Sequence, residues 1–466
     1  MKKLLIAVCF FISASTFAQI KKLTPFKNGD RIVFAGNSIA EHGYYETYIW
    51  QYYMLHFPER RIQVKNCGIG GDVAGQILAR LDRDILIDNP TVVVLSFGMN
   101  DSRYFEYLKA PVAQVRSEAV ATSKNSYKGI EQKLKALPNV QKIIMTSSPF
   151  DETMTGPKNN FPGKYATMLE IANFQEAAAK SNHWGFVDLI HPMTEIDQRE
   201  QKKDSNFTLT GPDRIHPGNG GHLAMAYFFL KAQGLTGSVV ADVTINAANG
   251  KLIKSINSTI SNIIVSSKKI SFNYKANSLP FPVDTFARIW GNPQKESAAL
   301  AVIPFTDEFN KELLRIKELK SSNNYALIID GTTIGEWNGA QFAKGINLAV
   351  MENTPQYIQA QKIADLNIQY HELEQKMRAY YWLQFNYFSK RNMMFDDSQA
   401  AMDSVNNATP KDWAVASKRD NYKQARIKEV REGWEKQMKE LIDRIYILNK
   451  PAKHSMVIEI VNRRNH

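Results

Sequence analysis

The stretch Arg31-Ile-Val-Phe-Ala-Gly-Asn-Ser-Ile39 decides how the rest of the chain reads. Ile32 to Ala35 run straight into Gly36-Asn37-Ser38, the pattern of a buried strand that closes in a tight turn with a serine at its tip. A helical pattern follows from about Ala40 to His56. Ser38 therefore falls near a helix N-terminus, at the C-terminal edge of a parallel sheet. Open α/β sheets bind their ligands at that edge, and helix N-terminal amides stabilise negative charge there. Two readings of Ser38 follow from this stretch alone. It is an ordinary helix cap, a role Ser favours, or it is a nucleophile.

Moving outward, Gln63 to Asn66 reads as a second strand and Cys67-Gly-Ile-Gly-Gly71-Asp72 as a glycine-rich turn that opens a helix, Val73 to about Asp84. The turn lacks the lysine and length of a Walker phosphate loop, and its spacing does not fit a dinucleotide fingerprint. Its glycines fit a backbone N–H brought close to a ligand. Thr91 to Phe97 is a third strand, ending in Gly98-Met99-Asn100-Asp101. A helix spans roughly Val112 to Leu137, a fourth strand Lys142 to Ser148, a polar loop Pro149 to Lys164, a helix Tyr165 to Ser181, and a fifth strand Gly185 to Leu189. Strands alternating with helices at this spacing imply βαβ units and a parallel sheet covered on both faces.

Asp213-Arg-Ile-His216-Pro217 precedes a glycine-rich turn and a helix from Leu223 to about Ala232. A carboxylate three residues before a histidine can hold one imidazole tautomer while the other nitrogen serves as base. Asp188-Leu-Ile-His191-Pro192 has the same spacing. There Asp188 ends a strand and the sequence offers no glycine-rich turn and helix, so Asp188 and His191 are read as strand-end and loop residues, and Asp213 with His216 is preferred.

Together these blocks resemble the SGNH (GDSL-like) hydrolase family. Gly36-Asn37-Ser38-Ile39 is similar to its nucleophile block, with Asn37 in place of the more usual Asp. Asn66 to Asp72 is similar to the second block, whose glycine matches Gly71. Gly98-Met99-Asn100-Asp101 is similar to the third, with Met99 where Gly is commoner, and Asp213 to Pro217 to the last. The resemblance covers about residues 28–234. It implies a three-layer α/β/α flavodoxin-like sheet and ester hydrolysis through Ser38 as nucleophile, His216 as base and Asp213 as its orienting carboxylate. It also implies an oxyanion hole from the Ser38 and Gly71 N–H groups and the Asn100 amide. His222 is expected to pack under the loop, and Glu41 and His42 to form a solvated first helical turn. No metal-ligand spacing occurs, and no cofactor is expected.

The 466 residues leave room for more than this domain. Gly234 to Gly237 reads as a linker, and residues 236–350 as a β-rich accessory region. Alternating strands lie near Val243–Ile245, Ile263–Ser266 and Ile270–Tyr274, with a hairpin over Tyr325–Ile334 turning at Asp330-Gly331 and a helix near Phe309–Leu319. From Thr354 the apolar seams Ile363, Leu366, Tyr370, Leu373, Met377, Tyr380 and Ile427, Val430, Trp434, Met438, Leu441, Ile445 flank a polar break at Asp396–Lys411. They predict a C-terminal helical hairpin over residues 351–466. The aromatics Tyr380 to Trp382 and Phe385 to Phe388 are expected in its core rather than as a sugar-stacking platform.

Met1 to Ala18 has the Lys2-Lys3, apolar and Thr16-Phe17-Ala18 pattern of a signal peptide, which predicts export and cleavage near Ala18, to the periplasm or beyond. Its apolar run is too short to span a membrane, and Val8 before Cys9 does not fit a lipid-attachment signal. The catalytic domain is then residues 19–235, and Cys67 is the only cysteine left, so no internal disulfide can form. The formal charge of +12 is scattered, without basic blocks, and an exported chain is not expected to meet nucleic acid. The expected partner is an ester substrate, an acylated glycan, with acetyl the group removed. A lipolytic enzyme or thioesterase, and a non-catalytic glycan-binding envelope protein, are the alternatives. The polar loop Asp151 to Lys164 argues against a long acyl chain, and the complete set of reacting residues argues against a binding protein.

Overall fold

The computed structural model describes residues 23–156 and 158–461; the leader and Cys9 lie outside them. Five strands, β1 (Arg31–Gly36), β2 (Gln63–Gly68), β3 (Val92–Phe97), β4 (Gln141–Thr146) and β5 (Gly185–Val187), form a wholly parallel sheet in the order β2-β1-β3-β4-β5. Between them run α1 (Ser38–Glu41), α2 (Tyr44–His56), α3 (Ala74–Arg80), α4 (Val112–Lys135) and α5 (Lys164–Ser181), followed by α6 (Ile190–Gln201) and α7 (Asn219–Ala232). Ile32 and Phe34 join the core shared with α2 and α7, while Val33 and Ala35 join the opposite core with α3 and α4. Both faces of β1 are covered, which is why its sequence is an unbroken apolar run rather than an alternation.

The expected helix over residues 40–56 is broken. Gly43 sits at φ +73°, and a Cβ there would come within 2.6 Å of His371, so only glycine lets the chain turn between α1 and α2.

Beyond the sheet, β6 (Ala241–Asn246), β7 (Leu252–Ile256), β8 (Ser258–Val265), β9 (Lys269–Ala276), β10 (Glu312–Lys317), β11 (Asn324–Ile329), β12 (Thr332–Asn338) and β13 (Ile346–Asn347) build two further sheets. Their orders are β13-β10-β6-β7 and β12-β11-β14-β9-β8, where β14 is His454–Ile460 at the far end of the described chain. Val243, Ile245, Leu314 and Ile316 of one sheet meet Phe272, Leu327, Met456 and Ile458 of the other in a single core, a β-sandwich. The helix expected near Phe309–Leu319 is instead a short α8 (Phe305–Phe309) followed by β10, in which Glu312, Leu314 and Ile316 point inward at a spacing of two. A small α9 (Gly339–Lys344) follows β12.

The expected C-terminal hairpin is a four-helix assembly. α10 (Pro355–Trp382) continues through a π-helical segment, Leu383–Phe388, and is followed by α11 (Gln399–Ala408), α12 (Trp413–Ala425) and α13 (Lys428–Leu448). The supposed polar break is thus largely α11, whose Ala401, Met402 and Val405 are buried with Tyr387 and Phe388. α10 and α13 place Ile363, Leu366, Tyr370, Ile445 and Tyr446 in the same core as α2. The chain then returns as β14 to pair with β9 and β11, so the described part of residues 351–466 ends in a strand of the sandwich.

Candidate active site

Ser38 is the first residue of α1, but it is not the cap. Asn37 holds that position, its Oδ1 accepting the Ile39 N–H at 3.0 Å. The Ser38 hydroxyl is left free of the backbone, and its Oγ lies 2.8 Å from His216 Nε2. His216 Nδ1 lies 2.6 Å from Asp213 Oδ2. A carboxylate only accepts, so Nδ1 carries the proton and Nε2 faces the hydroxyl as an acceptor. Asp213 Oδ1 accepts the N–H groups of Ile215 (3.0 Å) and His216 (2.9 Å). Burial pushes the Asp213 pKa up, but the hydrogen bond and charge of His216, with these two N–H donors, outweigh it and hold the carboxyl below its ordinary range.

Arg214, at φ +67°, projects away from this pair and donates to the carbonyls of Asp151 (2.8 Å), Lys158 (2.8 Å) and Gly156. It ties the long loop after β4 to the Asp213–His216 turn. Along that loop Phe150, Met154 and Phe161 are buried, while Thr153, Thr155, Lys158 and Asn160 are exposed.

The remaining expected residues converge on the same sheet edge. Gly71 stands at φ +87° in the turn after β2, with open space where a Cβ would be. Among the described residues, neither the Ser38 N–H nor the Gly71 N–H has an acceptor within the chain. Asn100 Nδ2 donates one hydrogen to the Asp72 carbonyl at 2.9 Å, and its Oδ1 accepts the Tyr104 hydroxyl at 2.7 Å, so the second amide hydrogen is oriented and unused. Asp101 accepts from Gly98 N, Ala74 N and Ser123 Oγ, which fastens this turn to α3 and α4. Ser38, Gly71 and Asn100 thus follow three adjacent parallel strands, at the sheet edge where Ser38 meets His216 and Asp213.

Sequence reading missed some of the support. Lys164, expected on the polar rim, is buried, with Nζ donating to Met99 O (2.5 Å), Ser102 Oγ (2.6 Å) and Arg103 O (2.6 Å) and lying 3.8 Å from the centre of the Tyr104 ring. Burial pushes its pKa well down. The expectation of a solvated Glu41 and His42 also fails, because the C-terminal helices cover them. Glu41 pairs with Lys418 of α12 at 3.7 Å, and the half-buried His42 ring lies 5.3 Å from that of His216. Burial, with His216 adding, pushes the His42 pKa well below the histidine range. His222 lies buried in α7, as expected, its Nδ1 accepting the Tyr45 N–H at 3.2 Å.

The duplicate motif is a real pair, with His191 Nδ1 at 2.8 Å from Asp188 Oδ2. His191 is in the first turn of α6, so the expectation that no helix follows is corrected. The pair is largely exposed, and among the described residues no hydroxyl partners the other ring nitrogen. Among the described residues no cluster of His, Cys, Asp and Glu could hold a metal ion, and no helix is long and apolar enough to cross a membrane.

Residues 34–224 match the model of the GDSL-like lipase/acylhydrolase family, and residues 361–450 that of the diltiazem deacetylase C-terminal helical domain. The solved structure of a gut microbial diltiazem-metabolizing enzyme is 41% identical, covers 95% of this chain and 100% of its own, and superposes with a TM-score of 0.92. The acetylxylan esterase of Geobacillus stearothermophilus is 25% identical over 232 residues, 44% of this chain and 95% of its own. Its solved structure covers 45% of this chain and 95% of its own at 23% identity, with a TM-score of 0.35. Over nearly its whole length the chain thus has a 41% identical relative of known structure, and it belongs to the GDSL-like lipase/acylhydrolase, or SGNH hydrolase, family of ester hydrolases.

Proposed function

We propose that this ester hydrolase is an exported serine acetylesterase in which Ser38, His216 and Asp213 form the catalytic triad. The observation that carries the reading is the hydrogen-bonded run from Ser38 Oγ through His216 to Asp213, at 2.8 and 2.6 Å. Ser38 attacks the ester carbonyl and His216 Nε2 takes its proton. The oxyanion is held by the Ser38 and Gly71 N–H groups and the Asn100 amide. His216 then passes the proton to the leaving alcohol, and water, activated by the same base, releases the acyl group.

Two things support acetyl as that group. One relative is an acetylxylan esterase, and the helical region matches a domain described from a diltiazem deacetylase. The exposed residues of the loop after β4 are polar, and they offer little apolar surface to supply the roughly 0.8 kcal/mol that burial of each CH₂ of a longer chain would contribute. We infer a glycan as the carrier, since the Lys2-Lys3 leader pattern directs the chain out of the cytoplasm. A second reading, an acetylated aromatic small molecule, is favoured by Phe105 and Leu108. Both are 62% exposed, and Phe105 directly follows Tyr104, the partner of Asn100.

The test is a p-nitrophenyl ester series from acetate to octanoate, with acetylated xylo-oligosaccharide and diltiazem as competing natural-type substrates, on wild type and Ser38→Ala. The expected result is a steep fall in kcat/KM with chain length, fluorophosphonate labelling of Ser38 only, and no turnover by the variant. Turnover by Ser38→Ala would remove the triad, and a preference for octanoate would replace the acetylesterase with a lipolytic enzyme. The ratio of the two acetylated substrates chooses between glycan and aromatic carrier.

A further inference from the structure

We propose that Trp382, the last residue of α10, and Asn386, in the π-helical segment that continues it, are positioning residues of the oxyanion site, locking the one peptide group whose N–H must face the substrate. The proposal rests on the serine-esterase reading above and adds the helical region to its machinery.

The turn after β2 is closed by the Asp72 N–H donating to the Ile69 carbonyl at 3.1 Å. Gly71, its third residue, has φ +87°, while Gly70 is not among the residues of positive φ. That is a type II turn, and its central peptide is Gly70–Gly71. The Gly70 carbonyl accepts two hydrogen bonds, from Trp382 Nε1–H at 2.9 Å and from Asn386 Nδ2–H at 3.1 Å. In a trans peptide the C=O and the next N–H point in opposite directions, and the chain has no cis bond among its described residues. Fixing the Gly70 oxygen against the helix therefore fixes the Gly71 hydrogen on the other side, away from the helix.

The turn cannot hold this orientation by itself. Types I and II differ by a flip of the central peptide, and glycine tolerates both. Residue 70 has no side chain to restrict the flip, and a Cβ there would lie 2.4 Å from Glu41 Oε2, so the Glu41 carboxylate would have to move to admit one. The two donors are themselves held. Asn386 Oδ1 accepts from Gln76 Nε2 at 3.0 Å, and Gln76 Oε1 accepts the Val73 N–H at 3.1 Å. Lys418 Nζ lies 4.9 Å from the centre of the Trp382 ring. Two donors on one carbonyl also polarise the peptide and strengthen its N–H as a donor. The effect falls on the transition state, where the charge develops, and little on the ground-state ester.

The full-length chain is compared as wild type, Trp382→Phe, Asn386→Leu and the double variant. The readouts are kcat and KM for p-nitrophenyl acetate, inhibition by an alkylboronic acid, whose tetrahedral serine adduct puts an oxygen in the oxyanion site, and thermal unfolding. The expected result is a fall in kcat of about tenfold for each single variant and about 10²-fold for the double, within what loss of one such donor removes. KM should stay within about twofold, boronate binding should weaken in parallel with kcat, and the unfolding temperature should hold. Wild-type kcat and boronate binding in the double variant would overturn the proposal. So would losses that follow unfolding temperature while the boronate-to-substrate ratio stays constant, because packing alone would then explain them. If the double variant does not fold, Asn386→Leu decides by the same two readouts. Ser38→Ala separates the two readings: turnover there overturns the serine mechanism, whereas an inactive Ser38→Ala beside wild-type Trp382 and Asn386 variants overturns only the clamp.

Discussion

A serine that caps a helix has its hydroxyl tied to the backbone, and one placed a single residue later does not. Asn37 takes the cap and Ser38 follows it, which is why Asn in place of the usual Asp does no harm to the local shape: both side chains accept the same N–H. The same logic applies at Asn100, whose amide has one hydrogen engaged by Asp72 O and whose oxygen is held by Tyr104. Under the proposed mechanism, in which the amide acts on the developing oxyanion, Asn100→Ala should lower kcat about 10²–10³-fold with KM little changed. Tyr104→Phe keeps the ring and loses only the donor, so it should lower kcat about tenfold, again without a matching rise in KM. Steady-state kinetics on p-nitrophenyl acetate measure both, and an unchanged kcat in Asn100→Ala would reduce it to a loop residue. Ser38, Gly71 and Asn100 can be read as candidates because each sits in a short block just after a strand, and Asp213 and His216 because they share one turn before a helix. Tyr104 and Lys164 cannot. A lysine in a polar loop reads as solvated, and only the fold reveals the ring of carbonyl and hydroxyl oxygens that accepts hydrogen bonds from its amine.

At the scale of elements, α10 was read through its apolar seam, and that seam does pack, with Ile363, Leu366 and Tyr370 in the core of the sheet domain. Periodicity of apolar residues says nothing about buried polar ones. Asn367, His371, Glu374 and Arg378 follow each other by four, three and four residues, a single helix face, and all are buried. Asn367 Nδ2 donates to Thr47 O at 3.1 Å, Glu374 Oε1 accepts the Asn66 N–H at 2.8 Å, and Arg378 pairs with both oxygens of Asp84 at 2.8 Å. These partners lie about 300 residues away in the chain, so no local pattern could announce them. Glu374 gives the stripe a pH signature. Burial raises its pKa to about 7, against the opposing Asn66 hydrogen bond and Arg378 charge. The folded value lies above the unfolded value of about 4.3, so the folded state binds more protons between those limits. Its contribution to stability is full below about pH 4 and is lost as pH rises through 7. Glu374→Gln keeps an oxygen for Asn66 and removes the titration. Relative to wild type, the variant should therefore gain about 3 kcal/mol between pH 4.5 and 8. Urea unfolding at the two pH values tests this, and a pH-independent difference would show that Glu374 does not titrate between the states.

For the whole molecule, the order of elements along the chain hides how its parts close on each other. Residues 236–350 build most of a β-sandwich, the chain leaves it for α10 to α13, and it returns as β14. The helical region is an insertion into the sandwich, and reading boundaries from changes in composition could not see that, because the last strand is short and comes only after the helices and turns that run from Pro355 to Leu448. The consequence is testable. β14 lies between β11 and β9 in the middle of a five-stranded sheet, antiparallel to both. Met456 and Ile458 are fully buried in the sandwich core, and Asp330 at the β11–β12 turn accepts from Ser455 N and pairs with His454 Nδ1, each at 2.7 Å. Ending the chain at Lys450 would leave every helix in place but open the sheet along two edges at once. The two apolar side chains alone are worth about 3–6 kcal/mol, a large part of the 5–15 kcal/mol that separates a typical folded domain from its unfolded state. The truncated protein should therefore aggregate, or unfold more than 10 °C below the full chain, an expectation from the usual relation of free energy to melting temperature. A peptide spanning residues 451–461 should restore solubility when refolded with it, because the missing strand has partners on both sides. Wild-type thermal stability in the truncated chain would mean that β14 is dispensable and that the helices are an appendage after all.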